Sequence, residues 1–439
     1  MQKLLELTSK DILKGLASGP FLSDGIFTEI SGVDILQKKE YYGLLVPSYE
    51  RTELTGTVVK DEIKWFVKRF SNAIDYYGFG NDGYLYKTTD PIGATTTALN
   101  SGGESTRTGA RGLTIYNDIL HYFSDTKIGT YDFGTAFNNT AYTGLQNAPH
   151  PAKVIDNKII FGNGKYVGIL DGTTLNATRL EFGTGYEVQD IEMYNTYAVI
   201  LMSNGFHSII YLWDLYSDYA TYQFELYEHC TALEKYKETF AVFGENVYSF
   251  DEGEFEIICS IDNSVFAGAT DYKQNMLYWV DENVRSYGTP TKGVKPKLFS
   301  PFSIVGTCNA FILTYPLGHS DRTMLLCSLS TKRLFSYESG AIAGSVKTIK
   351  FDIGYANIQK IILYVDNFAN TDDEIQVDYY TDDESSYVNF NYNTLGERGV
   401  LAEQIVTTPT NKVYLTLSFH SGSPRIKKLQ IYGEQIKPI

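Results

Sequence analysis

The residues of this 439-residue chain that could do chemistry are six histidines, four cysteines and two dense acidic clusters. Histidine and cysteine act as bases, nucleophiles or metal ligands only when a partner group lies at a suitable position. The histidines, none in an HxH or HExxH pattern, are His121, His150, His207, His229, His319 and His420. The cysteines, which stand singly in or beside apolar segments, are Cys230, Cys259, Cys308 and Cys327. We therefore predict structural roles for all ten, without a zinc site or a disulfide framework.

The two acidic clusters are Asp372-Asp373-Glu374 and Asp382-Asp383-Glu384. Paired carboxylates facing a channel can cleave glycosidic bonds, and alternating oxygen ligands with glycine bind calcium. Both clusters fall between predicted strands and lack the DxDxDG pattern, so solvated turns are the prediction. No GxSxG or Walker motif occurs, and the GFGNDG sequence lies inside a predicted hairpin. The sequence therefore predicts no enzyme and no catalytic, cofactor or metal site.

The elements that would position these residues follow one recurring pattern. An apolar and aromatic strand is followed by a tight polar turn and a second aromatic strand. The copies begin at Tyr76, His121, Ile159, Tyr197, Phe240, Met276 and, in a more divergent form, Phe311. Two of the turns contain Asn81-Asp82-Gly83 and Asn163-Gly164, residue types that tolerate the positive φ of tight hairpins. Each copy is therefore predicted to be a β-hairpin.

The spacing of the copies predicts the architecture. Their starts are separated by 45, 38, 38, 43, 36 and 35 residues. A period of about 40 residues is typical of a four-stranded propeller blade, and stacking such sheets around an axis buries both faces of each. We predict an all-β chain with a β-propeller of about seven blades, six or eight remaining possible, rather than separate sandwiches or a solenoid. The segment KKEYYGLLVPS, around residue 43, is the candidate strand for closing the ring.

Three regions lie outside the repeat. Residues 1–25 are predicted to form a short helical arm, because Leu4, Leu5, Ile12, Leu13 and Leu16 are compatible with one helix face. The stretch from Asp90 to Gly112 is rich in Thr, Ser and Gly, which is typical of a long mobile loop. From about residue 341 six long alternating strands without the repeat predict an antiparallel β-sandwich. The predicted domains are residues 1–25, 26–340 and 341–439.

Composition limits the class of protein. The chain has 35 Tyr and 25 Phe, residues that suit half-buried pleated surfaces. No stretch reaches the roughly 18 apolar residues that would span a bilayer, and the charged N-terminus does not fit a signal peptide. We therefore expect a soluble protein made in a cytoplasm. The formal charge of −15 argues against a surface that follows nucleic-acid phosphates.

With its N-terminal arm, its tyrosine-rich blades and its C-terminal sandwich, the chain resembles the propeller proteins of tailed-bacteriophage virions. These are nozzle, stopper and tail-hub components and portal-proximal rings. The resemblance rests on architecture: the arm, residues 64–87 as an opening blade, and the strands KIILYVDNF and IKKLQIYG. It implies a structural role in a virion assembled in the host cytoplasm. Copies would form a ring with neighbouring tail proteins around a conduit for DNA ejection, touching DNA only in passing.

A second function remains open: a tail-associated propeller that binds or cleaves carbohydrate. Acids and tryptophans that converge on the channel mouth would favour it, and the available tryptophans are Trp65, Trp213 and Trp279, each within a predicted strand. An intracellular interaction scaffold is the third reading. Under the structural reading, the short arm is expected to order only against a partner. Deleting residues 1–20 is then expected to leave the propeller folded and to impair incorporation into the particle.

Overall fold

A computed structural model describes most of the chain. The described residues are 1–12, 14–16, 27–31, 33–34, 46–47, 50–53, 62–70, 74–88, 97–99, 109–134, 136–251, 253–262, 266–272, 276–281, 283–289, 296–302, 307–314, 324–329, 333–338, 344–366, 374–382, 385–391, 399–421 and 425–436. Within these ranges no helix is long and apolar enough to cross a membrane.

The N-terminal part contributes short elements that pair with distant parts of the chain. They are β1 (Gln2–Thr8), α1 (Ser9–Ile12), β2 (Phe27–Ser31), β3 (Val33–Asp34), β4 (Val46–Pro47) and β5 (Glu50–Glu53).

The next part of the chain forms seven four-stranded antiparallel sheets, which are the blades of a propeller. Blade 1 consists of β6 (Ile63–Phe70), β7 (Ile74–Gly80), β8 (Leu85–Thr88) and β9 (Thr97–Ala98). Blade 2 consists of β10 (Gly112–Tyr116), β11 (Ile119–Ser124), β12 (Lys127–Tyr131) and β13 (Phe137–Thr143). Blade 3 consists of β14 (Ala152–Ile155), β15 (Lys158–Asn163), β16 (Tyr166–Asp171) and β17 (Thr174–Glu181).

Blades 4 to 6 are likewise built from four consecutive strands each. Blade 4 consists of β18 (Glu187–Tyr194), β19 (Tyr197–Ser203), β20 (Ser208–Trp213) and β21 (Tyr222–Leu226). Blade 5 consists of β22 (Ala232–Tyr236), β23 (Thr239–Phe243), β24 (Asn246–Asp251) and β25 (Glu254–Ser260). Blade 6 consists of β26 (Gly268–Tyr272), β27 (Met276–Val280), β28 (Val284–Gly288) and β29 (Lys297–Phe302).

Blade 7 closes the ring with a strand from the other end of the propeller. Its β30 (Cys308–Thr314), β31 (Met324–Leu329) and β32 (Arg333–Glu338) are completed by β5, which pairs with β32. The first strands of neighbouring blades contact one another around the whole ring, and β30 contacts β6. The predicted propeller is confirmed.

The repeated hairpins form the middle of the blades because neighbouring blades cover both of their faces. Six predicted copies begin in the second strand of a blade, and the copy at Phe311 begins in the first strand of blade 7. β7 is buried along its whole length, and β19 is buried at every residue but the first. Such strands appear as nearly continuous apolar runs in the sequence.

The predicted closing segment and loop need correction. Val46–Pro47, inside the segment proposed to close the ring, pairs with Val33–Asp34, and the closing strand lies slightly later, at Glu50–Glu53. Part of the predicted loop from Asp90 to Gly112 is ordered, since Thr97–Ala98 forms the outer strand of blade 1. Residues 90–96 and 100–108 of that loop lie outside the described residues.

The C-terminal unit is a nine-stranded antiparallel sheet that includes β1 and β2. Its other strands are β33 (Gly344–Thr348), β34 (Phe351–Asp366), β35 (Glu374–Tyr380), β36 (Ser385–Asn391), β37 (Val400–Gln404), β38 (Thr410–Ser421) and β39 (Arg425–Gln435). The long strands β34 and β38 pair with each other and with two further strands each. The two halves of the sheet bury one common apolar cluster, as in a sandwich whose layers share strands.

The predicted N-terminal helical arm is largely wrong, because residues 2–8 form a strand. β1 pairs with β39 from Gln2↔Gly433 to Thr8↔Lys428, and only one helical turn, Ser9–Ile12, follows. The edge of β39 offers backbone partners to this segment, and such tertiary pairing overrides a weak helical pattern. The segment is therefore part of the C-terminal sheet.

The N-terminal segment also joins the sheet to the propeller. Ile12, Leu16 and Phe27 are buried in the cluster that contains Trp279 of blade 6 and the core of the C-terminal sheet. Leu16 forms a bridge to Leu298 on β29. The two units therefore share one core, and the C-terminal unit draws strands from both ends of the chain.

Candidate ligand site at the channel mouth

Three of the seven innermost strands carry a bulge near their first residues. The register shifts between Ile63 and Trp65 on β6, between Val188 and Asp190 on β18, and between Cys308 and Ala310 on β30. A bulge inserts an unpaired residue and redirects neighbouring side chains. All three lie at the same end of the ring, because the innermost strands run in the same direction. This end is the channel mouth.

A cavity of about 370 Å³ occupies the channel mouth. The residues around it lie at or just before the first residues of the innermost strands, and they include Lys64, Trp65, Gln189, Asp190, Leu233 and Phe311. The volume falls within the range of small-molecule sites. Trp65 is only partly buried, whereas Trp213 and Trp279 are fully buried in the blades. One of the three tryptophans therefore reaches a cavity, and the other two are core residues.

Asp190 is the carboxyl group that lines this cavity. Its side chain accepts the N–H groups of Ile191 and Leu233, each at 2.8 Å, which ties the inner strand of blade 4 to that of blade 5. Burial raises the pKa of Asp190 to about 7, although both N–H groups and the charge of Lys153 oppose the increase. Asp190 therefore titrates near neutral pH, and its protonated form can donate a proton.

Further charged side chains come from three consecutive blades. Lys153 of β14 forms an ion pair with Glu192 of β18, whose side chain is 3% exposed. Burial by itself lowers the pKa of Lys153, but the charges of Glu234 on β22 and of Glu192 raise it above its ordinary value. Together with Asp190 these groups place three carboxyls and one ammonium on neighbouring inner strands. No motif in the sequence indicated this cluster.

Five of the six histidines lie within the described residues, and His420 of β38 is exposed. His121 and His150 are buried, and their ring nitrogens contact backbone carbonyl groups. His229 Nδ1 lies 2.8 Å from Ser203 Oγ, a pair that resembles a base and its nucleophile. The same hydroxyl donates to the carbonyl of His207 at 3.2 Å and accepts the N–H of Gly205, so its proton is engaged in the turn.

The cysteines and acidic clusters show no built site among the described residues. Cys230, Cys259 and Cys308 are free and buried, and burial raises the pKa of the Cys230 and Cys259 thiols to about 12. Asp382 accepts the N–H of Asn411 at 2.8 Å, as expected for a turn. His319, Cys327 and part of both acidic clusters lie outside the residues or side chains described. In the described ranges, no three His, Cys, Asp or Glu side chains are arranged so that together they could hold a metal ion.

No protein-family model and no curated protein sequence matches this chain. Solved structures with a similar fold include the Pan2 WD40 domain of Neurospora crassa, with a TM-score of 0.49, 8% identity, and coverage of 66% of this chain and 95% of that one. Another is the extracellular domain of the putative hybrid two component system BT4673 from B. thetaiotaomicron, with a TM-score of 0.48, 10% identity, and coverage of 82% and 47%. The exo-β-1,3-galactanase of Phanerochaete chrysosporium has a TM-score of 0.36, 10% identity, and coverage of 88% and 99%. Similarity at this level supports no inference about function.

Proposed function

We propose that this chain is a structural component of a tailed-phage virion, in the tail or neck. Copies form a ring around the DNA conduit and join neighbouring tail proteins. The observation that carries the proposal is the way in which both units are closed. β5 completes blade 7 of the propeller, and β1 lies against β39 in the C-terminal sheet. A chain closed by strands from distant parts of its sequence resists opening under load, which suits a part of a DNA-ejecting machine.

Charge and channel geometry fit this role. The inner strands of the propeller carry charged side chains, among them the Lys153–Glu192 pair. In the proposed ring, DNA passes through the opening between the copies and not through one propeller. The formal charge of −15 disfavours adhesion of DNA phosphates to the protein. Contact with DNA is thus expected to be transient and independent of base sequence.

The test is to locate the protein in purified particles. We expect electron microscopy of particles labelled with an antibody against the C-terminal sheet to show the label at the tail or neck. Averaged images should show several copies with rotational symmetry. Particles labelled with pre-immune antibody serve as the control. A protein that is present only as a free monomer in infected cells, and is absent from washed particles, would refute the structural role.

One observation favours a second candidate function, the cleavage of a glycosidic bond at the channel mouth. Trp65 and Asp190 line the same cavity, and the pKa of Asp190 is raised to about 7. A protonated carboxyl donates to the leaving oxygen in glycoside hydrolysis, while an aromatic ring packs against the sugar. Glu192 on the same strand and Glu234 on the neighbouring inner strand supply further carboxylates.

This second candidate predicts a particular pH dependence. A general acid must be protonated, so hydrolysis should be present below about pH 7 and fall about tenfold per pH unit above it. We expect Asp190→Asn to abolish release of nitrophenol from a panel of nitrophenyl glycosides, while Asp382→Asn, in an exposed turn, retains it. If no glycoside of the panel is cleaved between pH 4 and 9, the cleavage function is refuted and the structural role is unaffected.

A further inference from the structure

A second cavity, of about 630 Å³, lies beside the channel mouth between blades 3 and 4. It is lined by inter-blade connections and by turns between the second and third strands, which lie at the mouth end of the ring. Gln189, the residue inserted by the bulge of β18, lines both this cavity and that of the channel mouth. We call this second cavity the outer cavity.

Exposed aromatic side chains stand next to lining residues of the outer cavity on the blade 4 side: Phe206 follows Gly205, and Tyr227 precedes His229 by two positions. Phe206 and Tyr227 are 86% and 88% exposed, the two most exposed aromatic side chains among the described residues. The ring of Tyr227 lies 5.2 Å from that of His207, which in turn lies 6.0 Å from the ring of Tyr186 in the cavity wall. Water-exposed aromatic surface grouped beside a cavity is typical of a binding site.

Hydrogen bonds hold this arrangement in place without a ligand. Asn204 Oδ1 accepts the N–H groups of Phe206 at 3.0 Å and His207 at 2.8 Å, which fixes the turn that presents Phe206. The hydroxyl of Tyr186 lies 2.7 Å from His207 Nδ1. A site that is ordered before binding loses little conformational entropy when a ligand enters.

The polar groups of the outer cavity indicate the class of ligand. Gln146, Gln189 and Asn204 line it, and side-chain amides both donate and accept hydrogen bonds, as sugar hydroxyls do. Asn204 offers a ligand its NH2 group, because its Oδ1 already accepts the N–H groups of Phe206 and His207. Among the described residues that line it, Lys165 is the only Lys or Arg, and it is paired with Glu181, while Glu187 adds a negative charge. A phosphate or nucleotide would find little positive charge there. A neutral saccharide matches both the amides and the aromatic rings.

We propose that the outer cavity binds a neutral or N-acetylated oligosaccharide, with Phe206 and Tyr227 packing against sugar rings and the amides contacting hydroxyl groups. Because Gln189 is shared, a longer oligosaccharide extends from the outer cavity to the channel mouth. The proposal deepens the carbohydrate candidate by naming a binding site, and it requires no cleavage. It is independent of whether the protein is part of a virion.

The full-length protein is tested on a printed array of neutral and N-acetylated oligosaccharides of two to eight sugars, followed by calorimetry with the best-retained glycan. We expect the double variant Phe206→Ala/Tyr227→Ala to lose at least tenfold in affinity with an unchanged thermal midpoint. The matched control, Tyr219→Ala/Tyr387→Ala, removes two exposed aromatic rings from elsewhere and should bind as the wild type does.

Two results would overturn the proposal: retention of no glycan by the wild-type protein, or equal affinity of the Phe206→Ala/Tyr227→Ala variant. The channel is tested separately with Asp190→Asn. Suppose that Asp190→Asn retains full affinity for the glycan and that neither this variant nor the wild-type protein hydrolyses any glycoside. The outer cavity is then a binding site, and the cleavage function fails. The two hypotheses can therefore fail independently.

Discussion

Deletion of residues 1–12 is expected to lower the free energy of unfolding of the C-terminal sheet by about 5 kcal/mol or more. The deletion removes the whole β1–β39 ladder and the buried side chains of Leu7 and Ile12. Truncation of a single buried leucine or isoleucine to alanine already costs about 2–5 kcal/mol. Unlike the free arm expected from the sequence, this segment is part of a folded core.

The measurement is urea unfolding combined with hydrogen exchange of the β39 amides. In the deletion variant we expect the amides of residues 428–433 to lose protection, while those of blade 3 keep it. The matched control is Gln2→Ala/Lys3→Ala, which changes two exposed residues at the start of the same strand. Unchanged protection of β39 after the deletion would show that β1 contributes nothing to the sheet.

Lys153→Met is expected to destabilise the propeller by about 2 kcal/mol, because it leaves the buried Glu192 carboxylate without its cation. The loss is smaller than for a fully buried pair, since the Lys153 side chain is 40% exposed and water screens the pair in part. The side chain of Glu192 is only 3% exposed, and Lys153 is the ammonium group paired with it. Glu234 is a second carboxylate coupled to the same lysine, so repulsion across the inner strands increases as well. Equilibrium unfolding in urea at pH 7 measures the loss.

The charge explanation can be separated from simple loss of packing. We expect Lys153→Met/Glu192→Gln to recover at least half of the lost stability, since no uncompensated charge is then buried. The comparison variant is Lys158→Met, which breaks the more exposed ion pair with Asp171 on the same blade and should cost about 0–1 kcal/mol. Equal losses for Lys153→Met and Lys158→Met would contradict the assigned role of the channel pair.

The blades could be predicted because their signals are local. A hairpin needs two neighbouring strands and a turn, and the turns between the first and second strands of blades 2 to 5 illustrate this. Among their residues with positive φ are Asn117, Asp118, Asp156, Asn157, Asn195 and Lys237. Asn and Asp adopt this conformation readily, so turn positions are visible in the sequence. Lys237 does so less readily, and its turn gives a weaker signal.

The channel cluster could not be predicted, because its members are separated by as many as 81 residues along the chain. Lys153, Asp190, Glu192 and Glu234 meet only because three successive blades place their first strands around one axis. One signal was available in the sequence: these three acids and this lysine are charged residues within strands that otherwise contain many apolar residues. Charge within a strand does not show which other charge it faces, because that depends on how the blades pack.

The sequence by itself determined the repeated hairpin, the propeller architecture and the change to longer alternating strands near residue 344. Each of these depends on residue types within about 40 positions of one another. Only the tertiary structure decided which strand closes each unit. β1 was interpreted as a helix and β5 was placed slightly too early. An edge strand is selected by the unpaired backbone groups of a distant partner, and residue patterns within the strand do not encode that partner.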